Sequence, residues 1–162
     1  MPSPVMVLHS VIIHERLGRW ARQIRPRFRD WPIRWAETRS KSDLVGASAR
    51  SGCPILVVEV DVRAARSLDE LQAAIEVAPD ALSLVLERQD RPEVVGMARE
   101  VGATLVMTGV VVPPEVDATI RRWLPIARQR AEAEGWSPVH GPEPEPWEDR
   151  DLFLAQVPPR DR

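Results

Sequence analysis

The sequence predicts an α/β domain of three layers, a doubly wound sheet of five parallel strands in the order 2-1-3-4-5 with helices on both faces. Three features point there. Five apolar runs alternate with five helical patterns, and strands alternating with helices of roughly 10–15 residues form parallel βαβ units with right-handed crossovers. The first run is almost continuously apolar, as strands covered on both faces are. The run ILVVEV at 55–60 is the most hydrophobic, which places it centrally. In this strand order a ligand site lies at the carboxyl ends of strands one, three and five. Those ends are Ile13-His14-Glu15, Glu59-Val60-Asp61 and Thr108-Gly109.

Each element has a local reason. Val5 to Ile13 reads as the first strand. A helix from Glu15 to Arg25 follows, with Leu17, Trp20, Ala21 and Ile24 at helical spacing, and Pro26 ends it. Ile33 to Thr38 is a short second strand. Ser42 is a suitable N-cap for a helix bearing Leu44, Val45 and Ala49 that stops at Gly52. After the third strand, Ser67 with Glu70 three residues on has the form of a capping box, with Leu71, Ala74 and Ile75 facing inward. Ala81 to Leu86 is the fourth strand. Pro92 suits a first helical turn, Val94, Val95, Ala98 and Val101 form that helix's stripe, and Gly102 terminates it. Thr104 to Met107 is the fifth strand. Pro114 opens a last helix with Val116, Ile120, Trp123, Leu124 and Ala127 on one face and Pro125 as a kink point.

Length and composition narrow the class. The 162 residues suit one domain and a tail, with 44% hydrophobic and 28% charged residues. Cys53 is the single cysteine, which excludes an internal disulfide framework and fits a reducing compartment. The beginning MPSPVMVLHSVII has no basic stretch ahead of its apolar run and reads as a strand rather than a signal peptide. No apolar run reaches the roughly 18–20 residues of a spanning helix, so the expected location is cytoplasmic. Motifs for nucleotide loops, serine hydrolases and zinc proteases are absent, and no zinc-ligand spacing occurs. No cofactor and no metal ligand set is expected.

Residues 53–61, CPILVVEVD, and 102–116, GATLVMTGVVVPPEV, resemble in order and spacing the third and fifth strands of a two-component response-regulator receiver domain. The resemblance covers about residues 5–130 and implies the flavodoxin-like (CheY-like) fold. A working receiver needs a phosphoacceptor Asp, an acidic pair for Mg²⁺, a Thr or Ser, and a Lys. By resemblance, His14 and Glu15 stand at the acidic pair. Glu59, or with a small register shift Asp61, stands at the acceptor. Glu87 stands at the Thr/Ser position and Gly109 at the Lys. A neutral imidazole is a poor Mg²⁺ ligand, and loss of the Lys removes the cation that stabilises developing charge. The resemblance is to a degenerate form, a pseudo-receiver that is not phosphorylated by the usual Asp chemistry. The residue-level alternative is that His14, Glu15, Glu59, Asp61 and Glu87 converge on one cleft able to hold a divalent ion or act as acid and base.

Charge and aromatic residues suggest contact surfaces. Arg16, Arg19, Arg22 and Arg25 recur every three residues and, with Arg27 and Arg29, form a candidate basic patch. Net charge is −2 and no nucleic-acid motif is present, so nucleic acid is not an expected partner. In the receiver family the fourth helix, fifth strand and last helix commonly carry partner or dimer contacts. Here that implies Glu93, Arg99, Asp117, Arg121 and Arg128. Six of the 16 prolines follow Trp136, so residues 1–136 read as the domain and 137–162 as a Pro-rich acidic tail. Within the tail, Trp147 and Phe153 flanked by acids form a candidate docking motif, because Trp is a common hot-spot anchor. The expected function is a non-catalytic regulatory module that binds a protein partner or a second copy of itself. The alternatives are an accessory subunit anchored by its tail, or a metal- or ligand-binding enzyme using the strand-end cleft.

Overall fold

The computed structural model describes residues 9–135. Its strands are β1 (His9–His14), β2 (Ile33–Thr38), β3 (Ile55–Val60), β4 (Leu82–Glu87) and β5 (Leu105–Thr108). All pair in parallel, in the order β2-β1-β3-β4-β5, as the alternating pattern predicts. The helices are α1 (Arg19–Ile24), continued by a 3₁₀ turn (Arg25–Phe28), α2 (Lys41–Ala49), α3 (Ala64–Val77), α4 (Pro92–Glu100) and α5 (Pro113–Ala133).

The period of two along each strand splits the core into two layers. Val11, Ile13, Ile55, Val57, Leu84 and Leu86 face α1 and α5, where they meet Trp20, Ile24, Phe28, Val116, Ile120 and Trp123. Ile12, Leu56, Val58 and Val85 face α2, α3 and α4, where they meet Leu44, Leu71, Ala74, Val94 and Ala98. Ile13 pairs with Val57, and Val57 with Leu84, so one row of side chains crosses the three central strands at the same height. Each fully buried Leu, Ile or Val contributes about 1.5–3 kcal/mol. This row therefore holds β1, β3 and β4 in register, and the register aligns their carboxyl ends along one rim.

Three helix starts differ by two residues or more from the sequence expectation, and α5 opens one residue early, at Pro113 instead of Pro114. α1 begins at Arg19, four residues late, because Glu15 is drawn into the loop before it. α2 is capped by Ser40, whose hydroxyl accepts the Asp43 N–H at 3.2 Å, and not by Ser42. α3 begins at Ala64, so Ser67 and Glu70 lie inside the helix instead of forming a capping box. Both are buried, and a three-residue spacing that imitates a box here marks an inward face. α5 starts at Pro113 and continues through Pro125 to Ala133. No helix among the described residues is long and apolar enough to cross a membrane.

Candidate functional site

The carboxyl ends of β1, β3 and β5 surround a cleft of about 490 Å³ lined by Arg16, Arg19, Glu59, Asp61, Arg88 and Gly109 among others. Glu59, the penultimate residue of β3, has a side chain only 11% exposed. The Arg19 Nη2–H donates to its Oε1 at 2.8 Å, and Arg88 approaches the same oxygen at 3.7 Å. Asp61 follows β3 and turns the chain into α3. Its carboxylate accepts the Arg63 N–H at 2.7 Å and the Arg16 Nε–H at 3.3 Å. Gly109 closes the end of β5 with φ of +71°, the left-handed region that Gly enters without penalty, and its N–H donates to the Glu87 carbonyl at 2.8 Å. The mouth is aliphatic. Leu17, Val62 and Val110, each from a different loop, are 67%, 75% and 94% exposed.

Beside the cleft lies a buried polar network. The His14 Nε2–H donates to Glu70 Oε2 at 2.7 Å, and His14 Nδ1 meets the Thr38 hydroxyl at 2.9 Å. All three side chains are buried. Glu70 also accepts from Arg66 at 3.1 Å and from Arg16 at 3.4 Å. Burial alone pushes the Glu70 carboxyl up. Hydrogen bonds from His14 and Arg66, with the charge of Arg16, outweigh burial and hold it below its ordinary range. Arg16 therefore bridges two sites, because it also donates to Asp61 in the cleft.

Glu15 and Glu87 are each consumed locally. Glu15 accepts the backbone N–H groups of Trp20 and Ala21 at 2.9 and 2.8 Å. It does for α1 what Gly18, the N-cap residue, lacks the side chain to do. Glu87 is fully buried. It accepts from Arg91 Nη2 at 2.7 Å and Nε at 3.1 Å, and from the Gln89 N–H at 2.7 Å. Cys53, at the opposite end of β3, is buried and its Sγ–H donates to the Asp80 carbonyl. Desolvation pushes that thiol up to about 11, which makes it inert.

The expected convergence of five acid and imidazole groups on one cleft is thus corrected. Glu59 and Asp61 line the cleft, whereas His14, Glu15 and Glu87 turn to other partners. Among the described residues, no three His, Cys, Asp or Glu side chains gather as a metal-holding group. Guanidinium groups stand against the carboxylates instead.

The expected Arg stripe also divides, because α1 is too short to carry it. Arg16 and Arg19 turn into the cleft, Arg25 lies 3.5 Å from Glu37, and Arg27 lies 3.9 Å from Asp117. Arg22 and Arg29 are exposed. On the anticipated partner face, Glu93 and Arg99 are exposed on α4. Asp117 and Arg121 instead face the 3₁₀ turn. Arg121 pairs with Asp117, donates to the Arg27 carbonyl at 2.8 Å and lies over the rings of Phe28 and Trp31 at 4.6 and 4.7 Å. These contacts are structural. Arg128 pairs with Glu132 along its own helix. Trp147 and Phe153 lie outside the described residues.

Five participants are not among the residues expected at the site: Thr38, Arg66, Glu70, Arg88 and Arg91. Arg91 meets Glu87 across the turn between β4 and α4, where the helical i,i+4 rule has no bearing. Thr38 meets His14 only through the β1–β2 register, which pairs the two residues directly.

No protein-family model matches the chain, and no curated protein is significantly similar to it. Solved structures do match. A CheY-like receiver domain from Methanospirillum hungatei superposes with a TM-score of 0.65 at 10% identity, over 76% of this chain and 98% of that one. A structure of adenylate cyclase from Rhodopirellula baltica matches with 0.64 at 11% identity, over 80% and 96%. The signal receiver domain of a Luxo repressor protein from Vibrio parahaemolyticus matches with 0.62 at 12% identity, over 83% and 100%. At these identities the likeness concerns backbone architecture, and it is consistent: five parallel strands in the order 2-1-3-4-5 between two helical layers, the fold of the response-regulator receiver domains.

Proposed function

We propose that the chain is a pseudo-receiver, a signalling module that works by protein–protein contact and does not accept a phosphoryl group. The observation that supports this most directly is the cleft. Where the receiver pattern requires an Asp free to attack phosphorus, Glu59 is held by Arg19 and flanked by Arg88. The position of the Lys is Gly109, and that of the Thr or Ser is Glu87, buried against Arg91. An attacking carboxylate needs an open face and cations aimed at the incoming oxygens. Here the cations already face the carboxylate itself. The arrangement resembles a fixed charge pair more than a reaction site.

Contact surfaces remain. β5 is an edge strand of four residues with Leu105 partly exposed. Met97 on α4 and Ile126 on α5 are also exposed, and Glu93 and Arg99 supply charge on α4. A protein partner or a second copy of the chain would use this end of the sheet.

The test is phosphorylation of the full chain by acetyl phosphate with Mg²⁺, read by intact mass. The expected result is no phosphoryl adduct, for the parent and for Glu59→Asp alike. An adduct on the parent at Glu59 or Asp61 would overturn the proposal.

A further inference from the structure

We propose that the cleft at the carboxyl ends of the strands is the docking site of this chain's own acidic segment, residues 143–153. The inference is independent of whether the cleft takes phosphate. Isolated exposed aliphatic side chains are ordinary, but a cluster around one cavity marks a binding surface. Leu17, Val62 and Val110 are the three most exposed large aliphatic side chains of the described residues, and all three border this one cleft. Beneath them the lining carries three guanidinium groups, Arg16, Arg19 and Arg88, against two carboxylates, Glu59 and Asp61. The surface thus asks for an apolar anchor flanked by negative charge.

The segment EPEPWEDRDLF has that composition: five acidic residues against Arg150, with Trp147 and Phe153 as bulky groups. Carboxylates and guanidinium groups form strong, directional hydrogen bonds, and Trp is among the side chains enriched at the energetic centres of contacts. The reach is sufficient. α5 starts beside the cleft, since Val110 and Val111 line it and Pro113 opens the helix. Its 21 residues carry the chain away by about 30 Å at 1.5 Å per residue. From Gly135 to Trp147, fully extended backbone spans roughly 40 Å at about 3.3 Å per residue. Trp147 can therefore return to the rim. Tethering gives such a segment an effective concentration on the order of millimolar.

The test is amide hydrogen exchange on the full chain and on two full-length variants. One neutralises the acids (Glu143→Gln, Glu145→Gln, Glu148→Gln, Asp149→Asn, Asp151→Asn), and the other is Trp147→Ala. The expected result is about tenfold faster exchange in both variants at residues 17–19, 60–63 and 109–112, the weight of one well-placed anchor. β3 and β4 should exchange as in the parent. Unchanged exchange at the cleft loops in either variant would overturn the proposal. So would parent protection that falls on dilution, which would assign the occupant to a second copy of the chain.

Discussion

The two polar sites at the carboxyl end of the sheet each set carboxylates against nitrogen donors, but under opposite conditions. In one, His14, Thr38 and Glu70 are buried and each has a defined partner. In the other, Arg16, Arg19 and Arg88 stand about one-third to one-half exposed around Glu59 and Asp61. Burial makes a polar contact obligatory, because a group left unpaired away from water loses its full solvation. Exposure makes it optional, because water and salt compete. The buried network therefore holds α3 to the sheet, while the cleft can exchange its partners. Arg16 belongs to both and links them.

Substitutions can break this contrast in graded steps. Glu70→Ala strips a partner from His14, Arg16 and Arg66 together and should cost about 3–5 kcal/mol, read as a lower denaturant midpoint. The same residue sets an acid limit. Its folded pKa is depressed, so its contribution is present above the ordinary carboxylate range and is lost as pH falls through the folded value. A urea midpoint measured against pH should drop on that acid side in the parent, and the drop should shrink in Glu70→Gln. Glu15→Ala removes the acceptor for two N–H groups of α1 and should cost about 1–2 kcal/mol, with the loss visible as faster exchange at Trp20 and Ala21. Glu59→Ala, in the cleft, should shift the midpoint by less than about 1 kcal/mol. A loss as large as that of Glu70→Ala would show that the cleft pair is structural and that the contrast fails.

Much of the fold was legible, because strand burial leaves a direct trace: ILVVEV and LSLVLE are apolar on both faces, and both lie inside the sheet. The site was less legible, for a physical reason. Its bonds join residues far apart in the chain, 56 positions for His14 and Glu70 and 40 for Arg19 and Glu59. Local spacing carries no record of them. It even misled at Ser67 and Glu70, where a helix-start pattern was an inward face. Charge spacing misled in the same way at Arg16 to Arg25, because the pattern assumed one helix where the chain forms a loop, a helix of six residues and a 3₁₀ turn.

Gly109 fixes one wall of this cleft through its backbone. A Lys placed there would meet two obstacles. The backbone at φ of +71° suits Gly, and an L side chain would hold it at a penalty of about 1–2 kcal/mol. The new ammonium would also enter a cavity already lined by Arg16, Arg19 and Arg88. Both effects act at one position, so the turn after β5 is freer to change at its exposed neighbour Val110 than at Gly109 itself.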